Sequence, residues 1–135
     1  MKTYGFQMDK KKILVVEDHP LNMKLVVDLL ELNGYEVLKA ARGEDALDIL
    51  GKEIPDIIIV DIHLPGMNGV ELLRKIREDS RFNAVKVMAL TATVMGKEKN
   101  QMLKIFDSFI MKPIDTKDFI RRVKMLIDKK DENTN

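Results

Sequence analysis

Four consecutive residues, Ile57-Ile58-Ile59-Val60, constrain this chain more than any other stretch. All are β-branched, and the run is too short for a buried helix but suits a strand. Side chains alternate between the two faces of a strand, so a run that is apolar throughout must be covered on both sides, as in a parallel sheet. The run ends at Asp61, and Leu64-Pro65-Gly66 breaks the structure before a new amphipathic pattern begins. A carboxylate thus stands at the carboxyl end of an expected central strand, where open α/β sheets hold their sites. Taken alone, a strand-end Asp is more often a turn residue. The other strands decide whether this one differs.

The same alternation recurs along the chain. A polar arm over residues 1–11 precedes an expected first strand over 12–17, centred on Ile13-Leu14-Val15-Val16. It ends in Glu17-Asp18, and His19-Pro20 opens a helix, since Pro in a first turn costs no hydrogen bond. Leu21, Leu25, Leu29 and Leu32 recur at helical spacing with Val26 and Leu30 beside them, and Asn33-Gly34 closes the helix. A second strand is expected over 35–40, and a second helix from Gly43 with Ala46, Leu47 and Leu50 inward. After the Asp61 loop, Val70, Leu73 and Ile76 mark a third helix. Residues 80–84 read as a polar connection, 85–90 as a fourth strand, 97–106 as a charged helix and 108–111 as a fifth strand. The last helix starts near Asp115 and buries Phe119, Val123, Leu126 and Ile127, with a polar tail from Lys129.

Five strand–helix alternations predict a doubly wound α/β fold: a parallel sheet with helices on both faces and every strand's carboxyl end on one edge. The 135 residues make one domain with no repeat or linker, and 45% hydrophobic content supports its core. Lysines and arginines number 23 against 22 acids, which gives no argument for nucleic acid or membrane partners. The absence of cysteine excludes disulfides and thiolate metal sites. No apolar stretch approaches the ~20 residues that cross a bilayer, and the N-terminus lacks the apolar centre of a signal peptide. The expectation is a cytoplasmic protein.

Four strand ends then carry polar residues: Glu17 and Asp18, Asp61, Thr91, and Lys112. In a sheet of order 2-1-3-4-5 the first and third strands are neighbours at the point where winding reverses, which gathers three acids. Three carboxylates in one crevice repel unless a cation offsets them. A hard divalent ion is the natural partner, and Mg²⁺ fits best because it takes one or two carboxylates and shares phosphate oxygens. His19 and His63 stand apart and make no zinc site. Thr91 and Lys112 could then serve a tetrahedral anion with a hydroxyl and a point charge. Singly, each residue has a blander reading: Thr91 as a helix cap, Lys112 as a surface charge, Met67 as a packing residue, Phe109 as core. The weight lies in their order.

That order resembles the receiver domain of two-component response regulators. The resemblance covers roughly residues 12–128 and rests on ILVVEDHPLNMKL, DIIIVDIHLPGMNG, VMALTA and FIMKPI. The opening VEDHPLNMKL and the length look most like the single-domain DivK-type regulators; receivers of hybrid kinases share that opening. The resemblance implies a CheY-like, flavodoxin-like (βα)5 domain over 12–128, with flexible arms at 1–11 and 129–135. It implies that Asp61 accepts a phosphoryl group from a sensor histidine kinase or histidine phosphotransferase. Glu17, Asp18, Asp61 and the His63 backbone carbonyl would hold Mg²⁺, with Mn²⁺ as a substitute. Thr91, Lys112 and the backbone N–H groups of His63 and Ala92 would bind the phosphoryl oxygens. The Lys112–Pro113 peptide would be cis, and Thr91 and Phe109 would form the switch.

Two residues depart from the commonest pattern. Glu17-Asp18 stands where many members have Asp-Asp, and Phe109 where many have Tyr, so a switch there rests on packing alone. The implied protein is a monomeric signalling phosphoprotein rather than an enzyme, with a downstream protein target on the face of the fourth helix, fifth strand and last helix. Lys97, Lys99, Lys104, Arg121 and Arg122 lie on that face and suit an acidic or mixed partner patch. Three other readings compete. An unphosphorylated interaction module, or a receiver cut from a larger hybrid kinase, would share the fold. An aspartate-nucleophile phosphatase would need an acid two residues after Asp61, and His63 stands there.

Overall fold

All five residues of the strand Ile57–Asp61 are buried, as a run of β-branched side chains covered on both faces requires. The computed structural model describes residues 10–92, 101 and 104–133. Its elements in chain order are β1 (Lys12–Val16), α1 (Pro20–Leu32), β2 (Glu36–Ala40), α2 (Gly43–Leu50), β3 (Ile57–Asp61) and α3 (Gly69–Arg77). A 3₁₀ turn (Ser80–Phe82), β4 (Lys86–Thr91), β5 (Ser108–Met111) and α4 (Thr116–Asn133) follow. The strands form one parallel sheet of order β2-β1-β3-β4-β5. The doubly wound architecture is the expected one.

Alternation within each strand divides the core in two. Leu14, Val16, Ile58, Val60, Val87 and Ala89 point to the side of α2 and α3, and pack on Ala46, Leu50, Leu72, Leu73 and Ile76. Ile13, Val15, Ile57, Ile59, Met88, Leu90 and Ile110 point the other way, onto Val26 and Leu30 of α1 and Phe119, Val123, Leu126 and Ile127 of α4. Val16 is level with Val60, and Val60 with Ala89, so the central strands end together.

Three expectations are corrected. The series Leu21, Leu25, Leu29 and Leu32 is not the buried stripe of α1: Leu21 is 79% exposed and Leu32 83%, while Val26, Val27 and Leu30 are buried. A leucine series and a Val26-Val27-Leu30 series both satisfy helical spacing, and only the sheet's position chooses between them. The connection over 80–84 is not merely polar. Phe82, in the 3₁₀ turn, is 3% exposed in the α2–α3 core, and the Arg77 guanidinium donates to its carbonyl at 2.8 Å. The last helix continues past Lys129 to Asn133; Lys129, Lys130 and Glu132 are good helix formers and no Gly or Pro interrupts it. In the charged helix expected over 97–106, Gln101, Lys104 and Ile105 are helical and Phe106 is buried. Lys97 and Lys99 lie outside the described residues, as does the arm over 1–9.

Candidate functional site

Asp61 and Thr91 are the last residues of β3 and β4, Glu17 and Lys112 follow β1 and β5 directly, and backbone bonds at these ends tie each strand to its neighbour. The Glu17 N–H donates to the Ala40 carbonyl at 3.0 Å, Ile62 N–H to Leu90 at 3.0 Å, and Lys112 N–H to Thr91 at 2.8 Å. These bonds carry the sheet's order one residue further and fix where the side chains leave it. Glu17, Asp61 and Thr91 are 1%, 5% and 0% exposed, and Asp18 is exposed at the rim.

The Lys112 ammonium closes the group. Its Nζ donates to Asp61 Oδ2 at 2.7 Å and to Glu17 Oε1 at 3.0 Å, joining residues 51 and 95 positions away. Lys112 is thus no free surface charge. The other oxygen of each acid accepts a backbone N–H two residues on: His63 N to Asp61 Oδ1 at 2.9 Å, and His19 N to Glu17 Oε2 at 3.1 Å. Both carboxylates are thereby oriented before any ligand arrives.

The electrostatics split the two acids. Burial pushes the Glu17 carboxyl above its ordinary value, and the nearby Asp61 charge adds to this; the bonds from Lys112 and His19 only partly offset it. Burial pushes Asp61 up as well, but the hydrogen bonds from Lys112 and His63 outweigh it and hold that carboxyl below the usual range. Burial would lower the Lys112 ammonium, yet its bonds to Asp61 and Glu17 leave it raised, hence protonated at neutral pH. Asp61 is an ionised, oriented carboxylate facing a fixed cation.

One ammonium does not balance three acids. Glu17, Asp18 and Asp61 each offer an oxygen within 4.8 Å of the others'. This hard-oxygen set, with negative charge left after Lys112 is counted, suits Mg²⁺ or Mn²⁺ and not a thiolate- or imidazole-seeking metal.

The loop after β3 shows what residue chemistry alone had missed. A Cβ on Gly69 would lie 2.7 Å from the Asp61 carbonyl oxygen and 2.8 Å from Ile62 Cα, so α3 can start against the strand end only from a glycine. Asn68 caps that helix in a reciprocal box with Glu71. The Asn-Gly pair marks a turn in the sequence, but not the closeness of the approach. Ala92 follows β4 in an exposed bend, and the Lys112–Pro113 peptide is cis. Phe109 is partly buried on the α2–α3 side of β5, apart from the carboxylate cluster.

Comparison with known proteins agrees with this geometry. The family model described as "Response regulator receiver domain" matches residues 13–124. The polar-differentiation response regulator DivK of Brucella anthropi is 37% identical over 115 residues, 84% of this chain and 94% of the relative. A CheY-like response regulator receiver domain protein from Methanospirillum hungatei has a TM-score of 0.84 at 28% identity, covering 93% of this chain and 99% of that one. The receiver domain of a Pseudomonas aeruginosa sensor histidine kinase, solved with a magnesium ion coordinated in its active site cleft, has a TM-score of 0.81 at 27% identity, over 89% and 99% of the two chains.

Proposed function

The chain belongs to the response regulator receiver domain family, and from that membership we propose that Asp61 is the phosphoacceptor of a two-component phosphorelay. The donor is a phosphohistidine of a sensor histidine kinase or histidine phosphotransferase. An Asp61 carboxylate oxygen attacks phosphorus in line, the P–N bond breaks with its electron pair going to nitrogen, and the imidazole departs neutral, keeping the proton already on its other ring nitrogen. The product is an aspartyl phosphate, which water can later cleave. The observation that carries this reading is the Lys112 ammonium lying between Asp61 and Glu17 at 2.7 and 3.0 Å.

Phosphoryl transfer depends on positioning and on charge stabilisation. Asp61 is held ionised by Lys112 and His63. As the phosphoryl group arrives, the Lys112 ammonium exchanges its bond to Asp61 for one to a phosphoryl oxygen, while it goes on donating to Glu17. The Thr91 hydroxyl and the N–H groups of His63 and Ala92 serve the remaining oxygens. Glu17, Asp18, Asp61 and the His63 carbonyl would hold Mg²⁺, which when bound neutralises charge on the acids and the phosphoryl oxygens. Thr91 and Phe109 couple phosphorylation to the face of β5, α4 and the segment around Lys104, where a downstream protein binds.

The protein incubated with Mg²⁺ and acetyl phosphate should acquire one phosphate-mass adduct. Asp61→Asn and excess chelator should each abolish it. An adduct that survives Asp61→Asn puts the chemistry elsewhere, and a wild-type chain that takes none is an interaction module working without phosphorylation.

A further inference from the structure

Gly43 opens α2 and is buried. Its backbone is not left-handed, so conformation does not demand glycine there, and alanine would serve a helix better. Space supplies the reason. A Cβ on Gly43 would lie 3.0 Å from Met67 Sδ, 3.2 Å from its Cβ and 3.3 Å from its Cγ. The Met67 side chain rests along its length on the bare Cα of Gly43, and so the loop between β3 and α3 leans on the first turn of α2. Gly66 makes a second, looser approach: its Cβ would stand 3.9 Å from Glu44 Oε2.

The other parts of that loop touch the phosphoacceptor. The His63 N–H donates to Asp61 Oδ1, and the Gly69 N–H returns to the Ile62 carbonyl at 3.0 Å. Leu64 is buried behind the site, and Met67 anchors the outer arm. Methionine is flexible, so its aim depends on the surface it lies against.

We propose that Met67, seated on Gly43, is a positioning residue that holds the 62–68 loop in place and with it the His63 peptide on the Asp61 carboxylate. The proposal rests on the reading of Asp61 as phosphoacceptor. It makes α2, which brings no polar group to the crevice, part of the site's scaffold. One methyl group on Gly43 displaces Met67 outward, and the loop backbone follows because Met67 Cβ itself is in the contact.

The test is the initial rate of adduct formation with Mg²⁺ and acetyl phosphate in four proteins: wild type, Gly43→Ala, Met67→Ala and the double variant, each with its melting temperature. Gly43→Ala should slow the wild-type background about tenfold, since sub-ångström misplacement of reacting groups is costly, without lowering the melting temperature. In the Met67→Ala background, where the obstructing side chain is gone, the same change should slow the rate less than about twofold, a coupling that a double-mutant cycle isolates. Equal slowing in both backgrounds, or an unchanged rate in Gly43→Ala, overturns the proposal. A wild-type protein without adduct overturns the phosphoacceptor reading instead, so the two failures are distinct.

Discussion

Glu17 carries a structural cost that the neighbouring acid does not. Its side chain is fully buried and its carboxyl is raised by that burial. A carboxyl whose folded value lies above the unfolded one destabilises the fold at every pH where it is ionised, and the loss fades as pH falls through the folded value. In chelator, Glu17→Gln should therefore melt higher than wild type near neutral pH, and the gap should shrink on acidification. A variant that melts no higher, or a gap that widens toward low pH, would contradict the assignment. The identities Glu17, Asp18, Asp61, Thr91 and Lys112 were legible because each follows an apolar strand. The split between a raised Glu17 and a lowered Asp61 was not, since it depends on how burial and hydrogen bonds balance at each carboxylate in the folded chain.

Among the elements, α1 shows where pattern stops informing. Two apolar series on one helix satisfy the same period, and the sheet lies under only one of them. Leu30→Ala should cost about 3 kcal/mol through transfer and cavity terms, whereas Leu32→Ala, the same change two residues on, should stay within about 0.5 kcal/mol because Leu32 is 83% exposed. Urea denaturation of the two variants decides it, and comparable losses would return Leu32 to the core. The 3₁₀ turn at Ser80–Phe82 escaped notice because a single Phe among polar residues has no period. Asp107 was equally silent. Its carboxylate accepts the Val87 N–H at 2.8 Å and pairs with Arg77, thirty residues back in the chain, at 3.4 Å, tying α3 to the start of β4.

For the whole molecule, the two core clusters leave the carboxyl edge as the place where residues from β1, β3, β4 and β5 meet. The face proposed to meet a downstream partner is less basic than its composition suggests. Arg121 and Arg122 both bind Asp118, whose carboxyl is lowered by them, and Arg122 also reaches toward Ser108. A groove of about 290 Å³ there is lined by Arg121, Arg122 and Lys129 together with Asp107 and the apolar Met125 and Leu126. A partner there meets mixed chemistry. Combined Lys104→Glu and Arg121→Glu changes should weaken a downstream target at least about tenfold, by losing cross-interface pairs and adding repulsion, while acetyl phosphate still labels Asp61. Target affinity unchanged by both reversals would remove this face from the proposal.

The amino-acid order alone determined the alternating α/β plan, the strand count and the acids, hydroxyl and ammonium at strand ends, because short β-branched runs and helical periods are local properties. Tertiary structure alone decided which stripe of α1 is inside, that the Glu17 carboxyl is raised and the Asp61 carboxyl lowered, and how closely Gly69 and Gly43 let the Asp61 loop approach its neighbours. Those outcomes depend on distances between residues far apart in the chain, which exist only once the sheet has brought its strands side by side.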